Sequence, residues 1–392
     1  MMSLKARREL LVAVGPRYRQ AAGREKERIL DEFARNTGYH RKYAIQLLNH
    51  LPREPKRGKR RRARKYTPVV KQGLLILWHA ANGICSKRLV PYLPELITVL
   101  ERHEGLCLDA TTKALLVGIS PATVDRLLHA ERQGLRRRGL GTTKPGTLLK
   151  HQIAIRTFAD WDEAQAGFME ADLVAHCGTS TEGEYLHTLV LTDIETTWTE
   201  CVALLNRSQL TVSAAVADVR QVLPFALLGL DSDNGSEFIN ATLLRYCQQE
   251  RITFTRSRTY RKNDQAHVEQ KNWTHVRQFV GYGRYEGLEA YQVLTVLCET
   301  LRLYMNFFQP TLKLVAKEQV GARVHKRYDT ARTPYQRVLE SPQVSEETKR
   351  QLRTFYDSLN PCALLRHMER LQRRLWALET VRSVNEATIL PK

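Results

Sequence analysis

Apolar positions along this chain recur with two different periods, and the change from one to the other divides it. Between residues 24 and 50 the period is helical. Ile29, Leu30 and Phe33 share a face, Asn36-Thr37-Gly38 interrupts the run, and Tyr43, Ile45 and Leu48 resume it. The pattern predicts helix, short turn, helix: the outline of a helix-turn-helix, and equally of an ordinary helical hairpin. Its second helix would present His40, Arg41, Lys42 and Gln46. A further helical stretch occupies residues 66–130, with apolar helices over 69–81 and 89–100. It closes on Ser120-Pro121, an N-cap followed by proline at the first helical position, so another helix starts there and turns Thr123 and Arg126 outward. We read this as a second helix-turn-helix.

From about residue 150 the period shortens and strands alternate with helices. Strands are predicted over 168–174, 185–191, 198–204 and 225–230, with a helix over 208–222 crossing from the third to the fourth. Asn240 caps a helix through 250, a short strand covers 252–255, and helices follow over 264–280 and 288–308, the last ended by Pro310. The order predicts an α/β domain, a mixed sheet flanked by helices. Residues 313–337 are basic with little regular pattern and read as an arm. Leu364, Met368, Leu371, Leu375 and Leu378 alternate steps of four and three, which fits a short coiled coil or an ordinary amphipathic helix.

Charge narrows the partners. Lysine plus arginine outnumber aspartate plus glutamate 61 to 41 in 392 residues, a net charge of +20. Such a surface favours a polyanion through long-range attraction and counterion release, and nucleic acid leads the candidates. The density peaks at 56–65, where Lys56, Arg57, Lys59, Arg60, Arg61 and Arg62 follow Pro52 and Pro55. That run is too charged to pack. It reads as a linker lying along phosphates, or as a solvated connection. The seven cysteines are scattered singly with no zinc-ligand spacing, so reduced, mostly buried thiols are expected. No signal-type apolar core follows Met1, and no apolar run approaches the ~18 residues needed to span a membrane. The expectation is a soluble, cytoplasmic protein.

Three acids carry the chemistry. Asp172 interrupts an otherwise apolar strand, where an acid is costly unless paired, hydrogen-bonded or metal-bound. Asp233 stands just past the end of the fourth strand in Asp233-Asn-Gly-Ser-Glu-Phe238, and Glu269 lies on a helix after an interval of 35 residues. A phosphodiester repels nucleophiles, and two divalent cations about 4 Å apart offset that repulsion. Magnesium and manganese take hard oxygen donors, which carboxylates supply and thiols do not. Asp231 is the second choice to Asp233, and Glu170, on the face of Asp172, edges the site or sits at the sheet end. Asp193, Glu237 and Asp264 read as turn or capping acids, and Trp273 as core. His176 and His267 orient water or DNA, or simply pack.

Over about residues 160 to 280 this constellation resembles the DDE family of transposases and retroviral-type integrases, through Asp172-Leu-Val-Ala-His-Cys-Gly178, Asp233-Asn-Gly-Ser-Glu-Phe238 and Asn263-Asp-Gln-Ala-His-Val-Glu-Gln-Lys-Asn272. The resemblance implies a ribonuclease H-like domain with Asp172, Asp233 and Glu269 as ligands of two Mg2+ or Mn2+ ions. It also implies hydrolysis and strand transfer at DNA ends, nearest to a bacterial insertion-sequence transposase. The His/Cys zinc module at the front of retroviral integrases has no counterpart here. On this reading 1–55 is an N-terminal helix-turn-helix, 56–65 a basic linker, 66–150 a second helical DNA-binding domain, 151–310 the catalytic domain, and 311–392 a basic arm with C-terminal helices. Double-stranded DNA is the partner, and pairing two ends implies a homo-oligomer on DNA. Contacts are expected from Arg41 and Lys42, from Lys56, Arg57, Lys59, Arg60, Arg61 and Arg62 of the linker, and from Arg126, Lys262 and Lys271. A DNA-binding regulator with an inactive domain and a nuclease that does not join are the alternatives.

Overall fold

The computed structural model describes residues 2–50, 65–103, 105–134, 154–155, 165–233, 235–257, 266–320 and 323–380. Linker residues 56–64, Lys262 and Asp264 lie outside them. The chain divides into two compact units, Met1–Lys65 and Tyr66–Lys392. In the first, helices α1 (Leu4–Gln20), α2 (Gly23–Thr37) and α3 (Arg41–Asn49) close around Leu11, Tyr18, Ile29, Leu30, Phe33, Ala44 and Leu48. Gly38 ends α2 in the left-handed region at φ 70°, where a side chain would be strained, so the break read at Asn36-Thr37-Gly38 has a backbone cause.

The second unit opens with helices α4 (Pro68–Ala80), α5 (Ser86–Arg102), α6 (Ala110–Val117) and α7 (Pro121–Leu127). Ser120 caps α7 by accepting from the Thr123 amide, as its sequence predicts. These helices bury Leu74, Leu77, Leu89, Leu93, Leu96 and Leu100 in a core of their own. They are also tied to the rest of the unit. The Tyr304 hydroxyl donates to the Ala80 carbonyl at 2.8 Å, and that of Tyr356 to the Glu95 carboxylate at 2.5 Å.

A six-stranded sheet follows, built from β1 (Ala154–Ile155), β2 (Phe168–Ala175), β3 (His187–Asp193), β4 (Thr199–Leu204), β5 (Gly229–Ser232) and β6 (Thr253–Arg256). Its order is β1-β6-β5-β2-β3-β4, with β3 antiparallel to both neighbours and the other pairs parallel. Helices α8 (Gln209–Val222), α9 (Ala241–Gln249), α10 (Ala266–Lys271), a π-helical turn (Asn272–Arg277), α11 (Gln278–Val280) and α12 (Gly287–Phe308) accompany it. This is a mixed sheet flanked by helices, a ribonuclease H-like core. Every residue of β3 is buried, as a central strand covered on both faces requires. β5 begins four residues later than its apolar run suggests. Phe225 and Leu227 are buried without belonging to the ladder, which starts only where Gly229 lets the Phe168 ring lie against its backbone.

The C-terminal region is basic and partly helical. Where residues 313–337 read as an irregular arm, the chain forms a hairpin of β7 (Leu314–Val320) and β8 (Arg323–Tyr328), followed by α13 (Pro334–Glu340). Helices α14 (Glu346–Ser358) and α15 (Pro361–Ala377) follow. The alternating leucines of α15 are not a coiled-coil seam: Met368 and Leu375 are fully buried in the main core, where α15 packs on α12 and α11. Truncating Met368 to Ala should therefore cost about 2–5 kcal/mol of folding stability in urea denaturation. An unchanged midpoint would mean that this seam is free. Among the described residues no helix is long and apolar enough to cross a membrane.

Candidate functional site

Strand β2 turns Glu170 and Asp172 to one face, and β5 sets Asp231 directly beside Glu170. Glu170 is completely buried. Its Oε2 accepts from the Val268 amide at 2.6 Å, in the first turn of α10, and its Oε1 has no hydrogen-bond donor. Burial, and then the charges of Asp231 and Glu269, push its carboxyl well above the usual range against the amides of Val268 and His267. Asp231 is held by the Thr255 hydroxyl at 2.5 Å.

Asp172 is half-buried. Its Oδ1 accepts from the Leu173 amide at 2.8 Å and its Oδ2 from the Asn272 side chain at 2.6 Å. Burial, followed by the charge of Asp233 and with a further contribution from Glu269, pushes it up to about 7 despite those donors. Asp233 lies one residue past β5, where its Oδ1 accepts from the Gly235 amide at 2.8 Å. It too is raised, by burial and by Glu237, against that amide. A Cβ at Gly235 would stand 2.8 Å from the same oxygen, so only glycine lets the backbone close on this carboxylate.

Glu269 is exposed on α10. The helix does not keep one pitch: the π turn from Asn272 to Arg277 widens it just past the acid, a distortion that recurs at functional positions. Asn272, the first residue of that turn, faces Asp172. Two expectations fail here. Trp273 is 45% exposed instead of core, and Lys271, expected on a DNA backbone, is buried with its Nζ donating to the Thr197 carbonyl at 3.3 Å. Burial, aided by Arg88 and Arg337, drives that ammonium down to about 7. His176 is also a packing residue, buried and bonded to the Thr188 hydroxyl at 2.8 Å. Burial lowers His267 to about 4, with Lys313 and Lys271 adding to the shift.

The fold thus brings Asp172, Asp233 and Glu269 close enough for the charges of the other two to act on Asp172. It does not gather them into a metal cage. Among the described residues no group of three or more His, Cys, Asp or Glu could hold a metal ion. In this arrangement Asp172 is bonded to Asn272 and Leu173, and Asp233 to Gly235. The donors nevertheless suit a hard divalent cation: all are carboxylate oxygens, and an orphaned buried Glu170 oxygen lies on the same strand face. Sequence reading missed Asn272 as a partner of Asp172 because a contact between positions 100 apart leaves no mark in local spacing.

Among the expected DNA contacts, Arg41 and Lys42 are exposed on α3, Arg41 paired with Asp31. His40 caps that helix, its Nδ1 accepting from the Lys42 amide at 3.3 Å. Arg126 is exposed on α7, where it bonds Thr123 at 2.9 Å and the Ala122 carbonyl at 3.3 Å.

The uncharacterized protein y4rM of Sinorhizobium fredii is 46% identical to this chain over 330 residues, 83% of this chain and 93% of that protein. The chain belongs to the y4rM family. No family model matches it. Among solved structures, the catalytic core domain of BIV integrase is similar to 47% of this chain and 99% of its own, at 20% identity and a TM-score of 0.31. The catalytic core domain of HTLV-2 integrase, in complex with magnesium, is similar to 38% of this chain and 91% of its own, at 12% identity and a TM-score of 0.29. Both are weak structural resemblances.

Proposed function

We propose that this member of the y4rM family is a DDE-type DNA strand transferase that cuts and joins duplex DNA, with Asp172, Asp233 and Glu269 as the ligands of two Mg2+ or Mn2+ ions. One observation carries the reading. Two bonds bracket Glu269, Val268 to Glu170 and Asn272 to Asp172, and they lay its helix over the strand face that carries the other acids. Cations bound there would offset the phosphodiester charge and activate water or a 3′-hydroxyl. The chain's own part is to hold three hard donors, one on a strand, one just past the parallel strand beside it, and one on a helix. Asn272 orients Asp172, and Gly235 orients Asp233. DNA would be gripped by the helical segments and the basic linker, by an oligomer assembled on two ends.

The absence of a gathered acid group among the described residues equally suits a DNA-binding regulator, and hydrolysis shares its chemistry with a nuclease. Incubation of pre-cut DNA ends with a circular target and magnesium separates the three. Joined products support strand transfer, nicking alone a nuclease, and binding alone a regulator. For the linker, neutralising the cations among residues 56–65 should flatten the salt dependence of DNA binding by about 0.9 in log–log slope for every phosphate that they neutralise in the wild type. A slope equal to wild type would remove the linker from the interface.

A further inference from the structure

Residues 313–328 carry five Lys and Arg against a single Glu. Within this segment Leu314–Val320 and Arg323–Tyr328 pair as the β7–β8 ribbon, in which all the described side chains are exposed except the partly buried Ala316. A lone two-stranded hairpin is marginal in water. This one is further burdened, because its register sets Lys317 directly opposite Lys326, and like charges so placed repel. The same face carries Leu314 opposite Tyr328, 42% and 49% exposed, while Glu318 lies on the other face beside His325.

The root of the ribbon is fixed to the catalytic sheet. Lys313 Nζ donates to the Glu195 carbonyl at 2.7 Å and pairs with its carboxylate at 2.5 Å, and the Thr311 and Thr197 hydroxyls meet at 2.9 Å. Glu195 and Thr197 belong to the turn between β3 and β4, and the carbonyl of Thr197 accepts from Lys271 of α10. The ribbon therefore springs from the turn that touches the helix bearing Glu269. Seven residues of strand extend about 20 Å. A two-stranded ribbon is one of the elements that the major groove of B-DNA, about 12 Å wide, admits.

We propose that this ribbon is a duplex-DNA contact whose Lys317 and Lys326 face lies against phosphates of the DNA led to the acids. It rests on the strand-transfer reading for its purpose, but its test requires binding alone. The full chain is titrated with a random-sequence DNA duplex between 50 and 200 mM salt, beside a Lys317→Gln/Lys326→Gln variant. The expected result is a log–log slope shallower by about 2, from about 0.9 per neutralised phosphate, and affinity lowered several-fold. Thermal stability should hold, since both side chains are exposed. As a charge-matched control, Arg350→Gln/Arg373→Gln on the exposed faces of α14 and α15 should leave the slope near wild type. An unaltered slope in the ribbon variant overturns the assignment, as does an equal loss in the control. A changed sedimentation of the DNA-free protein with no change in slope would make the ribbon a contact between copies, and also overturns it. Normal ribbon-dependent binding by a protein that neither cuts nor joins would leave the ribbon standing and defeat strand transfer instead.

Discussion

Replacing Asp233 by Asn should abolish cutting and joining, by at least about 10³-fold or ~4 kcal/mol of barrier, while duplex binding stays within a few-fold of wild type. The substitution is nearly isosteric, and its side-chain oxygen can still accept from the Gly235 amide, so the turn after β5 persists. What is lost is one negative charge, in a place where burial and Glu237 already oppose it. A fold that keeps an acid there tolerates a cost that function must justify. Parallel assays of end joining and of duplex binding give the answer. Activity within tenfold of wild type would place the chemistry elsewhere.

The second large effect concerns Arg284, which is buried and works as a staple for the loop after β2. Its guanidinium donates to the carbonyls of Cys177 at 3.2 Å, Ser180 at 2.7 Å, Glu182 at 2.6 Å and Glu184 at 3.1 Å, and it pairs with Glu286. It also lies over the Tyr185 ring at 5.2 Å. Bonds from a charged donor contribute about 1.5–3 kcal/mol each and are not additive. Arg284→Ala leaves four carbonyls and a carboxylate without this partner, and should destabilise the unit by about 3–5 kcal/mol. Arg284→Lys keeps the charge but loses the planar fork, so an intermediate loss is expected. Limited proteolysis should then cut within residues 178–184 first. A midpoint shift below 1 kcal/mol would show that the loop holds itself.

Much of the fold was legible because its elements carry strong local signals. Ser120 and Asn240 cap the helices they were expected to cap, and strands β2 to β4 start within two residues of their predicted positions. The elements bearing the acids were legible too: Asp172 lies within a strand, Asp233 just beyond one, and Glu269 on a helix. What periodicity could not show depends on contacts distant in sequence. Lys271 is buried and Trp273 exposed, the reverse of what was expected, and nothing in their order marks it. The described side chains of β7 and β8 show no buried face, and so none of the alternation by which strands are recognised. The heptad-like leucines of α15 fit any apolar partner, and only the fold reveals that the partner is α12.

The most direct test is anomalous diffraction from crystals of the full chain soaked in Mn2+. The account predicts peaks ligated by Asp172, Asp233 and Glu269, with the Asp172 carboxylate drawn off Asn272, and their loss in Asp233→Asn crystals. Manganese bound at other residues, with these three acids still apart in a protein that joins DNA, would contradict it.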